Sequence, residues 1–220
     1  MERIITYYKK TGWKRLVSMV LGNTLLGMGI SIFKFSGLGN DPFSGMVMAL
    51  SDNAGIKYAV FLMFLNIFIF VLQFVLGKEF IGAGTIFNAL FLGYITTFFY
   101  ELWLFLFDKP TIFPIQIFIM LIGTIVTGLG LSMYQTPNVG ISPYDSLSVI
   151  MSKRIKKISY FWHRIFTDAV CALICFFAGG IAGGEIGLGT LVSAFGLGPV
   201  INFFDIHFTR KLFGKDEDIL

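Results

Sequence analysis

The sequence predicts an all-α polytopic membrane protein: six transmembrane helices in two inverted three-helix repeats, each with a broken segment and a short helix after its first span. Three observations lead there. Of 220 residues, 55% are hydrophobic and only 14% charged, with 26 Phe and a mean hydropathy of +0.78; a water-soluble domain could not keep so much apolar surface from solvent. Six segments run for about 20 residues with few charges, the length that crosses a hydrocarbon core of roughly 30 Å at about 1.5 Å per residue. The chain also repeats itself.

The spans are placed, in order, at 15–34, 57–77, 83–106, 112–134, 160–181 and 187–207. The first follows Tyr7, Tyr8, Lys9, Lys10, Lys14 and Arg15, a setting that resembles a signal peptide. Its apolar run is too long for an h-region and no convincing cleavage site follows, so it reads as a span. Long unbroken apolar runs also argue against a β-barrel, whose strands are short and alternate. The resulting organisation is a basic N-terminus over 1–14, a first repeat over 15–107, a second over 108–208 and a tail over 209–220.

Orientation follows from the basic residues, because Lys and Arg favour the cytoplasmic side. Arg3, Lys9, Lys10, Lys14 and Arg15 lead the chain; Lys153, Arg154, Lys156 and Lys157 lie between spans four and five; Arg210, Lys211 and Lys215 close it. Six crossings put all three groups on one face. Both termini are therefore predicted on the cytoplasmic side of a bacterial inner membrane. The formal net charge of +4 is then a topology feature, and nothing supports a nucleic-acid partner.

The repeat is visible at two offsets. A shift of 101 residues lays LGNTLLGMGIS on IGTIVTGLGLS, pairing Gly22 with Gly123, Gly27 with Gly128, Gly29 with Gly130 and Ser31 with Ser132. The same shift pairs Gly39, Pro42 and Phe43 with Gly140, Pro143 and Tyr144. A shift of 105 lays IGAGTIFNALFLG on IGLGTLVSAFGLG, pairing Gly82, Gly84, Thr85, Ala89 and Gly93 with their counterparts. Three crossings per unit is an odd number, so the second unit enters from the opposite face and the repeats are inverted. Letting 42–56 and 143–157 cross as well would make parallel repeats, but both are too short and polar to span alone.

Each unit interrupts its oily sequence just after the first span, at GLGNDPFSGM and NVGISPYDSL. Asp41 before Pro42 and Ser142 before Pro143 read as N-caps followed by Pro at the first helical position, where its missing amide costs nothing. Short helices are predicted over 43–52 and 144–154. Breaks inside a membrane are tolerated where they line a wet cavity or lie buried in protein, and paired breaks in two halves point to a transport site. The plainer alternative is a pair of surface loops leading into interfacial helices. Candidate substrate-binding residues are Asn40, Asp41, Pro42, Phe43 and Ser44 in the first half and Ser142, Pro143, Tyr144, Asp145 and Ser146 in the second.

Ionisable residues within spans are costly unless paired or hydrated. Arg164 and Asp168, one turn apart on the fifth span, form either a neutralising pair or a coupling site. Asp145 serves as a first-turn charge on the short helix or as a ligand for a cation. Asn23, Asn66, Asn88 and Ser193 are candidate cavity residues whose default role is hydrogen bonding between helices. Cys171 and Cys175 share a helix face and read as buried thiols, and no His or Cys spacing fits a metal. No cofactor is expected. No nucleotide-binding loop or nucleophile constellation is present, so the expectation is not an enzyme.

LGxxPF at Leu38 to Phe43, GISPYDSL at Gly140 to Leu147 and the two IGxGT runs resemble the YczE/YyaS/YitT group of bacterial integral membrane proteins, over about residues 15–205. The resemblance also implies a polar RxxxD pattern in the fifth span, met by Arg164 and Asp168. The halves are not symmetric in polarity, since Ser44 stands where the second half has Asp145.

The functional expectation is a transporter of a small polar or anionic solute, with the lipid bilayer and that solute as partners. A channel, a binding or accessory subunit of a larger complex, a homo-oligomer and a lipid-handling protein remain as alternatives.

Overall fold

The computed structural model describes residues 12–158, 160–179, 183 and 185–213, all helix, turn and loop with no strand among them. The basic residues Arg3, Lys9, Lys10 and Lys215 lie outside the described residues. The elements are α1 Trp13–Ser36, α2 Pro42–Ala54, α3 Tyr58–Leu76, a 3-10 turn Lys78–Phe80, α4 Ala83–Leu106, α5 Phe113–Gln135, α6 Pro143–Arg154, α7 Tyr160–Phe177 and α8 Leu188–Phe204. A π turn, Asp205–Thr209, carries α8 into α9, Arg210–Phe213. Six helices are long and apolar enough to cross a membrane: α1, α3, α4, α5, α7 and the run Leu188–Phe213. Large apolar side chains such as Phe68, Phe105, Phe118 and Phe177 point outward, as a lipid-facing surface requires.

Two sequence boundaries move. The fifth span stops at Phe177 rather than 181 because Gly179 adopts a left-handed conformation with φ 83°, which ends a helix without the usual Cβ strain. The last helix does not give way to a tail at 209. Asp205 accepts from Thr136 at 2.8 Å and from Arg210 at 2.7 Å, and the hydroxyls of Thr209 and Ser132 meet at 2.6 Å. These bonds bind the π turn to α5 and carry the helix to Phe213.

The core is a seam of α1 against α5. A Cβ on Gly22 would stand 2.8 Å from the carbonyl oxygen of Gly130, and one on Gly130 would stand 2.8 Å from the carbonyl oxygen of Gly22. Along the seam Gly22 meets Tyr134, Gly130 meets Leu26, Gly29 meets Thr127 and Gly123 meets Phe33. The partner number falls as the residue number rises, so the two helices run antiparallel, with small residues letting the backbones touch. Alongside, α1 runs parallel to α4, where the Asn88 amide donates to Asn23 at 2.7 Å and the Trp103 indole to Ser31 at 2.9 Å.

Each short helix packs against a helix of the other half. Helix α2 lies on α7, where the Asn53 side chain donates to the Ala178 carbonyl at 2.7 Å. Helix α6 lies between α3 and α7 and reaches Gly77 through Ile150. The loops before them cross over in the same manner. Gly189 donates to Leu38 at 2.7 Å and Gly84 to Val139 at 2.8 Å. Gly39 and Gly140 have φ of 96° and 109°. A Cβ on either would stand 2.5 Å from the backbone nitrogen of Gly187 or Gly82 respectively, so the left-handed backbone and the close approach both require glycine.

Candidate functional site

Both short helices begin as their sequences dictate. Asp41 accepts from the Ser44 amide at 3.1 Å, and Ser142 accepts from the Asp145 amide at 3.1 Å, each with Pro at the first helical position. The N-terminal ends of α2 and α6 meet, and the rings of Phe43 and Tyr144 stack with centroids 4.1 Å apart and planes 10° from parallel. Repeat-equivalent aromatics thus touch face to face.

Around this contact lies a cavity of about 1020 Å³. Asp41, Pro42, Phe43 and Ser44 wall it from the first half and Ser142, Tyr144 and Asp145 from the second. Arg164, Asp168, Asn66, Asn88 and Ser193 also reach it. Four named candidates do not line it. Asn40 donates to Glu185 at 3.0 Å, Asn23 is engaged with Asn88 and the Met19 carbonyl, Ser146 donates to the Pro143 carbonyl, and Pro143 is buried at the start of α6.

One guanidinium organises the second-half wall. Arg164 pairs with Asp168 through Nε at 3.3 Å and with Asp145 through Nη1, and its charge lies 5.1 Å from the centroid of the Tyr144 ring. Asp145 accepts in addition from the Tyr134 hydroxyl and the Ser142 hydroxyl, each at 2.7 Å. The Tyr144 hydroxyl donates to Asp168. Burial alone would raise the Asp145 carboxyl, but Arg164 and the donated hydrogen bonds outweigh it and hold the group below its ordinary value, so it is ionised at neutral pH. Burial raises the Tyr144 phenol, keeping it protonated as a donor.

The first-half wall is different. Asp41 has one carboxylate oxygen on its cap bond, while the other, Oδ2, is buried and without a partner. Burial is the main cause that lifts its carboxyl above the ordinary value. Asn66 on α3 is 1% exposed and its Nδ2 likewise lacks a partner. The sequence reading missed Tyr134, whose hydroxyl also accepts from the Ser142 amide at 2.9 Å, and Glu185. Tyr134 could have been flagged by its place eight residues before Ser142; Glu185 had no local cue.

A cavity with charged groups on its wall, lined by six membrane-length helices and the two short ones, lies within a multi-pass membrane protein. The chain belongs to a family of unknown function, DUF6198, whose model matches residues 13–206. An uncharacterized protein of Haemophilus influenzae is 28% identical over 220 residues, 93% of this chain and 94% of that one. The uncharacterized protein YyaS of Bacillus subtilis is 26% identical over 203 residues, 87% of this chain and 94% of that one, and the uncharacterized membrane protein YczE of the same organism is 21% identical over 183 residues, 83% and 81%. The resemblance carried by the Pro-containing motifs and the IGxGT runs thus holds for the YczE/YyaS-type group. No solved structure matches the chain.

Proposed function

We propose that the protein transports a small polar solute across the bacterial cytoplasmic membrane, through the cavity between two inverted three-helix repeats, and is not an enzyme. One observation carries the reading: a single cavity of about 1020 Å³ is walled by both Pro-containing motifs, and its size suits a small organic molecule. The inversion is supported by reciprocal contacts. Gly22 meets Gly130 while their repeat equivalents Gly123 and Gly29 meet each other, and Gly27 packs on Ile95 as Gly128 packs on Val200. An anionic solute has less in its favour than a neutral or cationic one. The Ser44 and Asp145 amides are already taken by caps, and Arg164 faces two aspartates. The distribution of basic residues supports a cytoplasmic location for both termini.

The reading is tested with purified protein in liposomes, by screening polar solutes for saturable uptake and repeating the positive cases with Asp41→Ala and Asp145→Ala. Saturable uptake lost in both variants, with the protein still folded, supports it. Unchanged uptake in both removes the site assignment, and flux that never saturates favours a channel.

A further inference from the structure

The charges on the cavity wall do not balance locally. Three arginines and four aspartates line it. Asp145 and Asp168 share Arg164, and Asp205 is paired with Arg210 at 2.7 Å. Arg15 stands near the start of α1, at the opposite end of that helix from the motif that holds Asp41. Asp41 makes no ion pair within 4.0 Å among the described residues, and its buried Oδ2 has no hydrogen bond. A buried carboxyl with no counter-charge in contact is expensive to ionise, so it either keeps its proton or meets a cation brought by the solute. Asn66, on the same cavity wall and almost wholly buried, offers an amide N–H with nothing to receive it. With the Thr127 hydroxyl, which also has no hydrogen-bond partner, three unmet groups face one space, an acceptor at Asp41 and a donor at Asn66 among them.

We propose that the cavity receives a small ammonium compound that also bears a hydrogen-bond acceptor: the ammonium donates to Asp41, the acceptor takes the Asn66 N–H, and Phe43 on the same wall offers the charge an aromatic ring. The pairing is specific in chemistry. A carboxylate on the solute would be repelled by Asp41. A bare metal cation needs several oxygen ligands at once, and among the described residues no group of three acidic, His or Cys side chains could hold one. An organic ammonium needs only acceptors at hydrogen-bond distance, and an aromatic face adds to its binding. This deepens the transport reading and rests on it for the cavity being a solute chamber.

The test uses the full chain in lipid nanodiscs with ethanolamine as probe, glycolate as its anionic counterpart and sodium chloride at matched ionic strength, read by calorimetry. Ethanolamine is expected to bind, and Asp41→Asn and Asp41→Ser to weaken it by about tenfold or more, the loss that accompanies one charge-assisted hydrogen bond. Both replacements still cap a helix, so the fold is retained, and Asp41→Ser copies the cap used at Ser142. No ethanolamine binding by the wild type, equal binding by both variants, or binding of glycolate instead would overturn the proposal. Liposome uptake separates the two readings. Asp41-dependent ethanolamine binding without uptake would leave the ammonium site standing and end the transport reading; glycolate uptake without ethanolamine binding would do the reverse.

Discussion

Arg164 is a fifth-span cation that two aspartates hold in place, and its removal exposes what it compensates. Taking away one partner of a buried pair typically costs about 3–5 kcal/mol because a charge is left unmet. Arg164→Met should therefore lower the melting temperature in detergent markedly, and adding Asp145→Leu with Asp168→Leu should recover much of the loss. A triple variant as unstable as the single one would show that the network contributes more than mutual neutralisation. Asp41 behaves in the opposite sense. Folding raises its carboxyl above the ordinary 3.8, so the folded state binds its proton more tightly and stability falls as pH rises from that ordinary value through the folded one. Asp41→Asn keeps the cap and removes the charge, and is expected to raise the melting temperature at pH 7 with a gain that fades toward pH 4; a gain that grows on acidification would contradict this. Asp145, held low, works the other way, and its contribution is lost only as pH drops below the carboxylate range. The Arg164–Asp168 pair was legible because it sits at helical spacing. Its tie to Asp145 was not, since that bond depends on how α6 folds back onto α7.

At the scale of elements, the interrupted segments are held by backbone contact, so their glycines are more demanding than their polar residues. Gly39→Ala and Gly140→Ala each place a methyl 2.5 Å from a backbone nitrogen in a left-handed conformation. Both are expected to abolish a monodisperse peak on size-exclusion chromatography. Gly196→Ala, whose added methyl would meet only Val192 at 3.7 Å, is expected to leave the peak unchanged. Normal behaviour of both the Gly39 and Gly140 variants would mean the loops do not pack on the IGxGT turns. The existence and starts of these short helices could be read from cap residues and Pro. Their packing across the halves could not: α2 rests on α7 and α6 on both α3 and α7, and nothing local in Asn40 announces that it donates to Glu185, 145 residues away. The last helix runs on past its apolar pattern for a related reason, because side chains at the end of α5 hold the π turn that extends it.

For the whole molecule, composition and repeat spacing were enough to anticipate six long helices and a pair of matching interruptions. The cavity between them was an inference that only packing could supply, since it requires the N-terminal ends of α2 and α6 to meet across the two halves. The direct test of the account is whether this chamber opens to each side of the bilayer in turn. With Cys171 and Cys175 replaced by Ala, a single cysteine at Asn88 or at its repeat equivalent Ser193 can be probed with a membrane-impermeant thiol reagent added to either face of oriented vesicles. The account predicts modification of each position from both faces. Modification from one face alone, at both positions, would contradict it.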